Sequence, residues 1–184
     1  MAPPTRTPRE SWIEEGLRTL ARGGPDAVRI EPMAKALGVT KGGFYGHFGG
    51  RKEFLKAMLD SWELATTEET IERVGAADAE AGSRLRRLFE LTSGSIVAID
   101  LAVRDWARRD EAVAERVRRI DARRMDYLRS LFAEICSGPD EVEARTMLAY
   151  SLLIGNRFIQ ADPGSHSRDD LLDLALRHLE AEKP

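Results

Sequence analysis

Residues 30–48 read IEPMAKALGVTKGGFYGHF. Apolar positions Ile30, Met33, Ala34 and Leu37 recur at helical spacing, and Pro32 is tolerated in a first helical turn. Gly38 supplies the left-handed residue that ends such a helix. Thr40 is of the type that caps a new one. The second helix is expected to end near Phe48, where Gly49 and Gly50 stop it. Two short helices joined across Gly38-Val39-Thr40 make a helix-turn-helix, which uses a turn of three or four residues, often containing Gly. Met33, Ala34 and Leu37 should pack against Val39, Phe44 and Phe48, with small Ala34 at the closest approach. The second helix then has its N-terminus free to enter a DNA major groove.

Outward from this stretch the periodicity stays helical, with no sustained period-two alternation, so no sheet is expected. A first helix over about 8–22 puts Ile13, Leu17, Leu20 and Ala21 on one face, and Gly23-Gly24-Pro25 stops it. A fourth helix runs from about Arg51 to Val74, carrying Phe54, Leu55, Met58, Leu59 and Trp62. Five more are expected at about 79–99, 101–108, 111–136, 140–160 and 168–182. Asp110 and Ser167 are placed to cap two of them. Ser137-Gly138-Pro139 and 162–165 read as breaks. The fold class is therefore all-α, with about nine helices. A three-helix, helix-turn-helix DNA-binding domain at 1–56, including an arm at 1–8, joins a helical body at 57–184.

The 184 residues are 42% hydrophobic and 32% charged, which suits a packed core and not a disordered chain. The longest apolar run, Met147 to Ile154, falls well short of the roughly 20 residues a membrane span needs. No secretory signal opens the chain, and a lone Cys136 rules out an internal disulfide framework and a cysteine-rich zinc site. A cytoplasmic location is expected. Net charge is −3. Residues 1–60 hold ten Lys/Arg against seven Asp/Glu, so the acidic excess lies in the remainder. A mildly basic head on an acidic body suits an N-terminal end that faces phosphates, although compositional scatter gives the same figures.

Seven residues are candidates for touching DNA. Lys41 is a cation at the leading end of the second helix, able to reach a phosphate or a guanine edge. Gly42 and Gly43 each cost about 1 kcal/mol of helix propensity relative to Ala. That cost is consistent with close backbone approach to DNA, or with a frayed turn. Tyr45 and His47 can donate to phosphates or pack on the helix surface. Thr40 can bond a phosphate as well as cap. Arg51 opens the fourth helix, where free N–H groups also favour an anion. Two glycines leave few side chains for reading bases, so phosphate anchoring and DNA shape should weigh heavily.

The segment from about Arg9 to Met58 resembles the DNA-binding domain of the TetR family of bacterial regulators. The resemblance rests on Met33-Ala34-x-x-Leu37-Gly38-Val39-Thr40, on Lys41-Gly42-x-Phe44-Tyr45-x-His47-Phe48, and on the basic residue plus Leu55 that follow. Family members usually have Lys where Arg51 stands, and often Ser or Thr where Gly43 stands; Gly43 removes a possible contact. The body resembles a branch of the family more loosely, through Arg104-Asp105-Trp106-Ala107 and Asp121-x-Arg123-Arg124-x-x-Tyr127-Leu128. The resemblance implies a homodimer on double-stranded DNA, with a palindromic operator and a small-molecule effector whose binding releases a repressor, and makes residues 57–184 the ligand-binding and dimerisation domain.

The Met147–Ile154 run supports an interface independently, because a helix apolar all round must be covered on both sides. The expected interface residues are Leu148, Ser151, Leu152, Gly155, Ile159, Leu172 and Leu176. A two-fold dimer would present two recognition helices. Pocket candidates for the effector are Trp62, Phe89, Trp106, Met125, Tyr127 and Tyr150, since aromatics with polar tips line such sites; each also reads as a core residue. Arg104, Asp105, Arg123 and Arg124 read as salt bridges ahead of pocket groups. No Gly-rich phosphate loop, nucleophile elbow or metal-ligand cluster is present, so no enzyme activity, metal or cofactor is expected. His47, His166 and His178 are scattered. The alternative is a helical small-molecule binding protein that does not engage DNA.

Overall fold

A computed structural model describes residues 8–76, 79–92, 95–159, 161 and 164–181. The helices are α1 (Arg9–Ala27), α2 (Ile30–Ala36), α3 (Lys41–Tyr45), α4 (Arg51–Glu63), α5 (Glu69–Gly75), α6 (Ala81–Leu91), α7 (Ser95–Ala107), α8 (Glu111–Phe132), α9 (Pro139–Gly155) and α10 (Arg168–Glu180). A π-helical turn, Leu64–Glu68, joins α4 to α5 without a break. The described residues thus form nine helical bodies and no strand, the all-α fold expected. Apart from Pro8, the arm expected at 1–8 lies outside the described residues, as do Asp162 and Pro163 of the expected loop.

The chain forms two compact units, Met1–Thr66 with Gly94–Arg118, and Thr67–Ser93 with Arg119–Pro184. This partition differs from a cut after residue 56, because the first unit takes in α7. In that unit α1 lies against α4 and α7. Trp12, Ile13, Gly16 and Leu20 form its buried face. Gly16 permits the α1–α4 crossing: a Cβ there would sit 2.6 Å from Phe54 Cζ and 2.7 Å from Met58 Sδ. Regular helix stops where expected, since Gly23 leaves helical geometry and Gly24 takes φ +70°. Pro25 opens one further turn.

Two breaks differ from expectation. The division expected near residue 100 falls instead between Leu91 and Ser95. Asp100, which read as a boundary, is 1% exposed inside α7 and pairs with Arg104 at 2.9 Å. Thr92 ends α6, its hydroxyl donating back to the Leu88 carbonyl at 2.8 Å and its own carbonyl accepting from Arg157 at 2.9 Å. α8 stops at Phe132, four residues short of Cys136, in a turn over 133–135.

In the second unit Val74, Leu85, Leu88, Leu128, Leu131, Phe132, Ala149, Tyr150 and Leu176 make the core. Arg145 staples α9 to the end of α10 by donating to the Leu179 and Ala181 carbonyls, each at 2.7 Å. These are carbonyls that a helix C-terminus leaves without partners. The caps expected at Asp110 and Ser167 are present. Asp110 accepts from the Ala112 and Val113 amides, and Ser167 and Asp170 form a reciprocal capping box. No helix among the described residues is long and apolar enough to cross a membrane.

Candidate nucleic-acid interface

α2 and α3 are only seven and five residues long, too short to hold together unaided. Their stability comes from one aromatic cluster. Phe44 stands edge-on to Trp12 at 5.4 Å and to Phe54 at 5.3 Å, and Phe48 meets Phe54 at 4.8 Å. Met33, Ala34, Phe44 and Phe48 are buried, and Leu37 and Val39 half-buried, as the pattern required. Burying each Phe stabilises by about 1.5–3 kcal/mol. Arg9 covers the cluster from outside, its guanidinium 5.0 Å from the Phe48 ring centre. Gly38 holds φ +67°, and the Val39 amide donates to the Ala34 carbonyl at 2.9 Å, closing the turn.

This frame presents the α3 surface. Tyr45 is 53% exposed and rests edge-on against Phe44 at 5.4 Å, leaving its phenol outward. Gly42 is open: a Cβ there would meet only Thr40 Oγ1, at 3.7 Å. Gly43 is half-buried, with Trp12 at 3.9 Å from such a Cβ. Neither glycine is therefore required by crowding within the protein. Thr40 occupies the N-cap position in extended geometry, but its side chain makes no capping hydrogen bond. The expected cap is corrected on that point. His47 is half-buried beside Phe48, ring centres 6.2 Å apart.

Lys41 Nζ donates to Glu31 Oε1 at 2.8 Å, bridging the first turns of α3 and α2. The Lys41 hydrogen bond, then its charge, lowers the Glu31 pKa; the same pair raises that of Lys41. Arg51 turns inward from the expected role. Its Nε donates to the Val28 carbonyl at 3.0 Å and its Nη2 to the Pro25 carbonyl, so it caps the kinked end of α1. Arg29, Ile30, Glu31, Pro32, Lys35, Lys41, Tyr45 and Arg51 line one open cleft of about 640 Å³. Four of the eight are bases and one is an acid. Sequence reasoning passed over Arg29, Glu31 and Lys35 as contacts. The signal was available, since residues 31 and 41 stand in the first turns of the two helices flanking the turn. At the start of α4, Lys52 and Lys56 line a smaller depression, where the Gly49 amide donates to Glu53 Oε2 at 2.8 Å.

The pocket candidates divide between units. Trp62 and Trp106 are buried in the first. Phe89, Met125, Tyr127 and Tyr150 belong to the second and pack in or on its core. The Tyr150 hydroxyl donates to Asp121 Oδ1 at 2.6 Å. The Tyr127 hydroxyl is buried with no partner among the described residues, and burial raises its pKa. Arg104, Asp105 and Arg123 are in ion pairs, with Asp100, Arg109 and Glu68, while Arg124 donates to Thr67 Oγ1 at 3.2 Å.

Of the expected interface residues, Leu148, Ser151 and Ile159 are exposed, and Leu152, Gly155 and Leu172 half-buried. Leu176 is corrected: it is 2% exposed, because that side of α10 closes its own unit's core. Met147, which begins the run read as an interface, is exposed, and Phe158, Leu171 and Leu174 add exposed apolar surface not anticipated.

Residues 13–58 match the family model described as bacterial regulatory proteins, tetR family. An uncharacterized HTH-type transcriptional regulator of Bacillus subtilis (strain 168) is 34% identical over 55 residues, which is 30% of this chain and 25% of that protein. The chain thus spans a quarter of the length of the curated relative it matches. A putative transcriptional regulator from Saccharomonospora viridis, solved with choline, superposes with TM-score 0.73 at 20% identity, covering 93% of this chain and 92% of that one. AibR, solved with isovaleryl coenzyme A and operator DNA, gives TM-score 0.69 at 15% identity over 93% of this chain and 97% of that one.

Proposed function

We propose that this chain is a transcription regulator, because residues 13–58 match the tetR-family model and the fold is similar to that of AibR, solved with operator DNA. In this reading a homodimer represses from a palindromic operator and is released by a small-molecule ligand. The observation that carries it is the α3 surface: an exposed Tyr45, an open Gly42 and the Lys41 ammonium, set on an aromatic core in a cleft shared with three further bases, Arg29, Lys35 and Arg51. Lys41, Tyr45, Thr40 and His47 contact DNA, with the α3 backbone close behind Gly42 and Gly43.

The dimer is supported by one face of α9. Ala144, Met147, Leu148, Ser151, Leu152 and Gly155 follow helical spacing, and Met147 and Leu148 are 56% and 58% exposed. Leu171, Leu172 and Leu174 of α10 extend it. The ligand is assigned to the second unit, where Tyr127, with its buried hydroxyl, packs against the same core cluster as Phe89 and Met125, a cluster that includes Tyr150.

Fluorescence anisotropy with the chain's own upstream DNA, between 50 and 200 mM salt, tests the reading. Binding should weaken steeply with salt as phosphate contacts release counterions. Lys41→Ala and Tyr45→Phe should each weaken it further. Salt-independent or absent binding, unaffected by either variant, would overturn the proposal.

A further inference from the structure

We infer that Glu31 reads sequence together with Lys41: the pair offers a donor and an acceptor side by side to the major-groove edge of one G·C base pair. This rests on the DNA-binding reading above. The Lys41 ammonium donates to guanine O6 and N7, and the cytosine N4 amino group donates to the Glu31 carboxylate.

The spacing carries the argument. Lys41 Nζ and Glu31 Oε1 are 2.8 Å apart. In a Watson–Crick pair cytosine N4 donates to guanine O6, so those two atoms are also about 2.9 Å apart. A cation–anion pair at that separation can lie along the base-pair edge, each group facing its complement. Both side chains are free to do so, at 51% and 74% exposed. The bond between them uses one of three ammonium protons and one of two carboxylate oxygens. Gly42 next to Lys41 adds no bulk, so the helix backbone can approach and bring both groups to the floor of the groove.

Charge argues the same way. Glu31 is the acid among Arg29, Lys35, Lys41 and Arg51 in the cleft lining. Against phosphates a carboxylate is repelled, whereas a base edge offers amino donors on cytosine and adenine. Adenine with thymine gives the carboxylate an amino group as well. There, however, the ammonium finds a single acceptor beside the thymine methyl, where guanine gives it two. The G·C pair is therefore the preferred target.

Selection of bound duplexes from a randomised library by the purified full chain, followed by competition with single base-pair replacements, tests this. The selected half-site should contain one G·C pair whose replacement weakens the native protein about tenfold. Glu31→Ala should abolish that preference at this one position and leave the others. Lys41→Ala should abolish it too, and the double variant should show no further loss of preference. If Glu31→Ala tightens binding to all sequences alike, Glu31 only competes with phosphates and the inference is overturned. Unchanged preference in Glu31→Ala overturns it equally, while the native protein's binding keeps the DNA-binding reading intact. A native protein that binds no duplex removes both.

Discussion

Gly16→Ala adds one methyl group to α1 and should destabilise the first unit. The new Cβ would stand 2.6 Å from Phe54 Cζ, 2.7 Å from Met58 Sδ and 3.0 Å from Phe54 Cε1. Non-bonded carbons prefer roughly 3.5–4.0 Å, so something must move by about 1 Å. The methionine can adapt, but the Phe54 ring cannot turn away easily. It is fully buried and wedged against Phe44 at 5.3 Å and Phe48 at 4.8 Å. Overpacking costs about 1–3 kcal/mol, and a contact this close belongs in the upper part of that range, about 2–3 kcal/mol. Replacing glycine inside a helix returns at most about 1 kcal/mol of propensity. The net loss is about 1–2 kcal/mol, and with m near 2 kcal/mol/M the urea midpoint should fall by about 0.5–1 M. Tryptophan fluorescence follows the transition, since Trp12 packs on Phe44 in the same cluster. A midpoint equal to or above that of the native protein, with m unchanged, would refute the packing argument.

The same substitution at Gly42 should do the opposite, because its Cβ meets only a hydroxyl at 3.7 Å. Stability should rise by up to about 1 kcal/mol while DNA affinity falls; a variant that gained stability and kept full affinity would count against close backbone approach. Asp60 links Lys56 at 2.8 Å and Arg116 at 2.7 Å. Burial would raise its carboxyl, but the hydrogen bonds and charges of Lys56 and Arg116 outweigh it and hold it below the usual carboxylate range. A pKa depressed on folding gives stability that is present above the unfolded value and lost as pH falls through the folded one. The urea midpoints of native protein and Asp60→Asn should therefore differ at pH 7 and converge toward pH 3; a gap constant with pH would be the contrary result. Leu148→Arg places a charge in the exposed α9 face, and light scattering should show a dimer become a monomer; an unchanged mass would remove this face from the interface.

The helix-turn-helix was legible because local rules decide it. Gly38 needs a positive φ, and the apolar spacing of Met33, Ala34, Phe44 and Phe48 admits one packing. Asp110 and Ser167 were legible for the same reason, as caps act within three residues. What the sequence concealed depends on how the helices pack. Arg51 goes to Pro25 and Val28 because the Gly23–Gly24 kink leaves carbonyls there for it to reach. Asp100 looks like a surface break until Arg104, one turn on, partners it in the interior. The six pocket candidates are all large side chains, aromatic apart from Met125, and type alone does not reveal that Trp62 and Trp106 belong to a different unit from the tyrosines. Leu176 and Leu172 are indistinguishable by hydropathy, and only the position of the α10 face relative to its core separates them.

The partner of α1 in α7 has a bearing on synthesis. Everything in residues 9–63 has been translated before the first residue of α7 exists, yet α7 covers part of the α1 surface. A ribosome adding about 5–20 residues per second leaves that surface open for a few seconds while the intervening chain is made. During that interval the nascent head is a substrate for chaperones and proteases. Expression of a fragment ending at residue 66 would prolong that exposure indefinitely, so solubility should be recovered only by fragments that extend through Ala107.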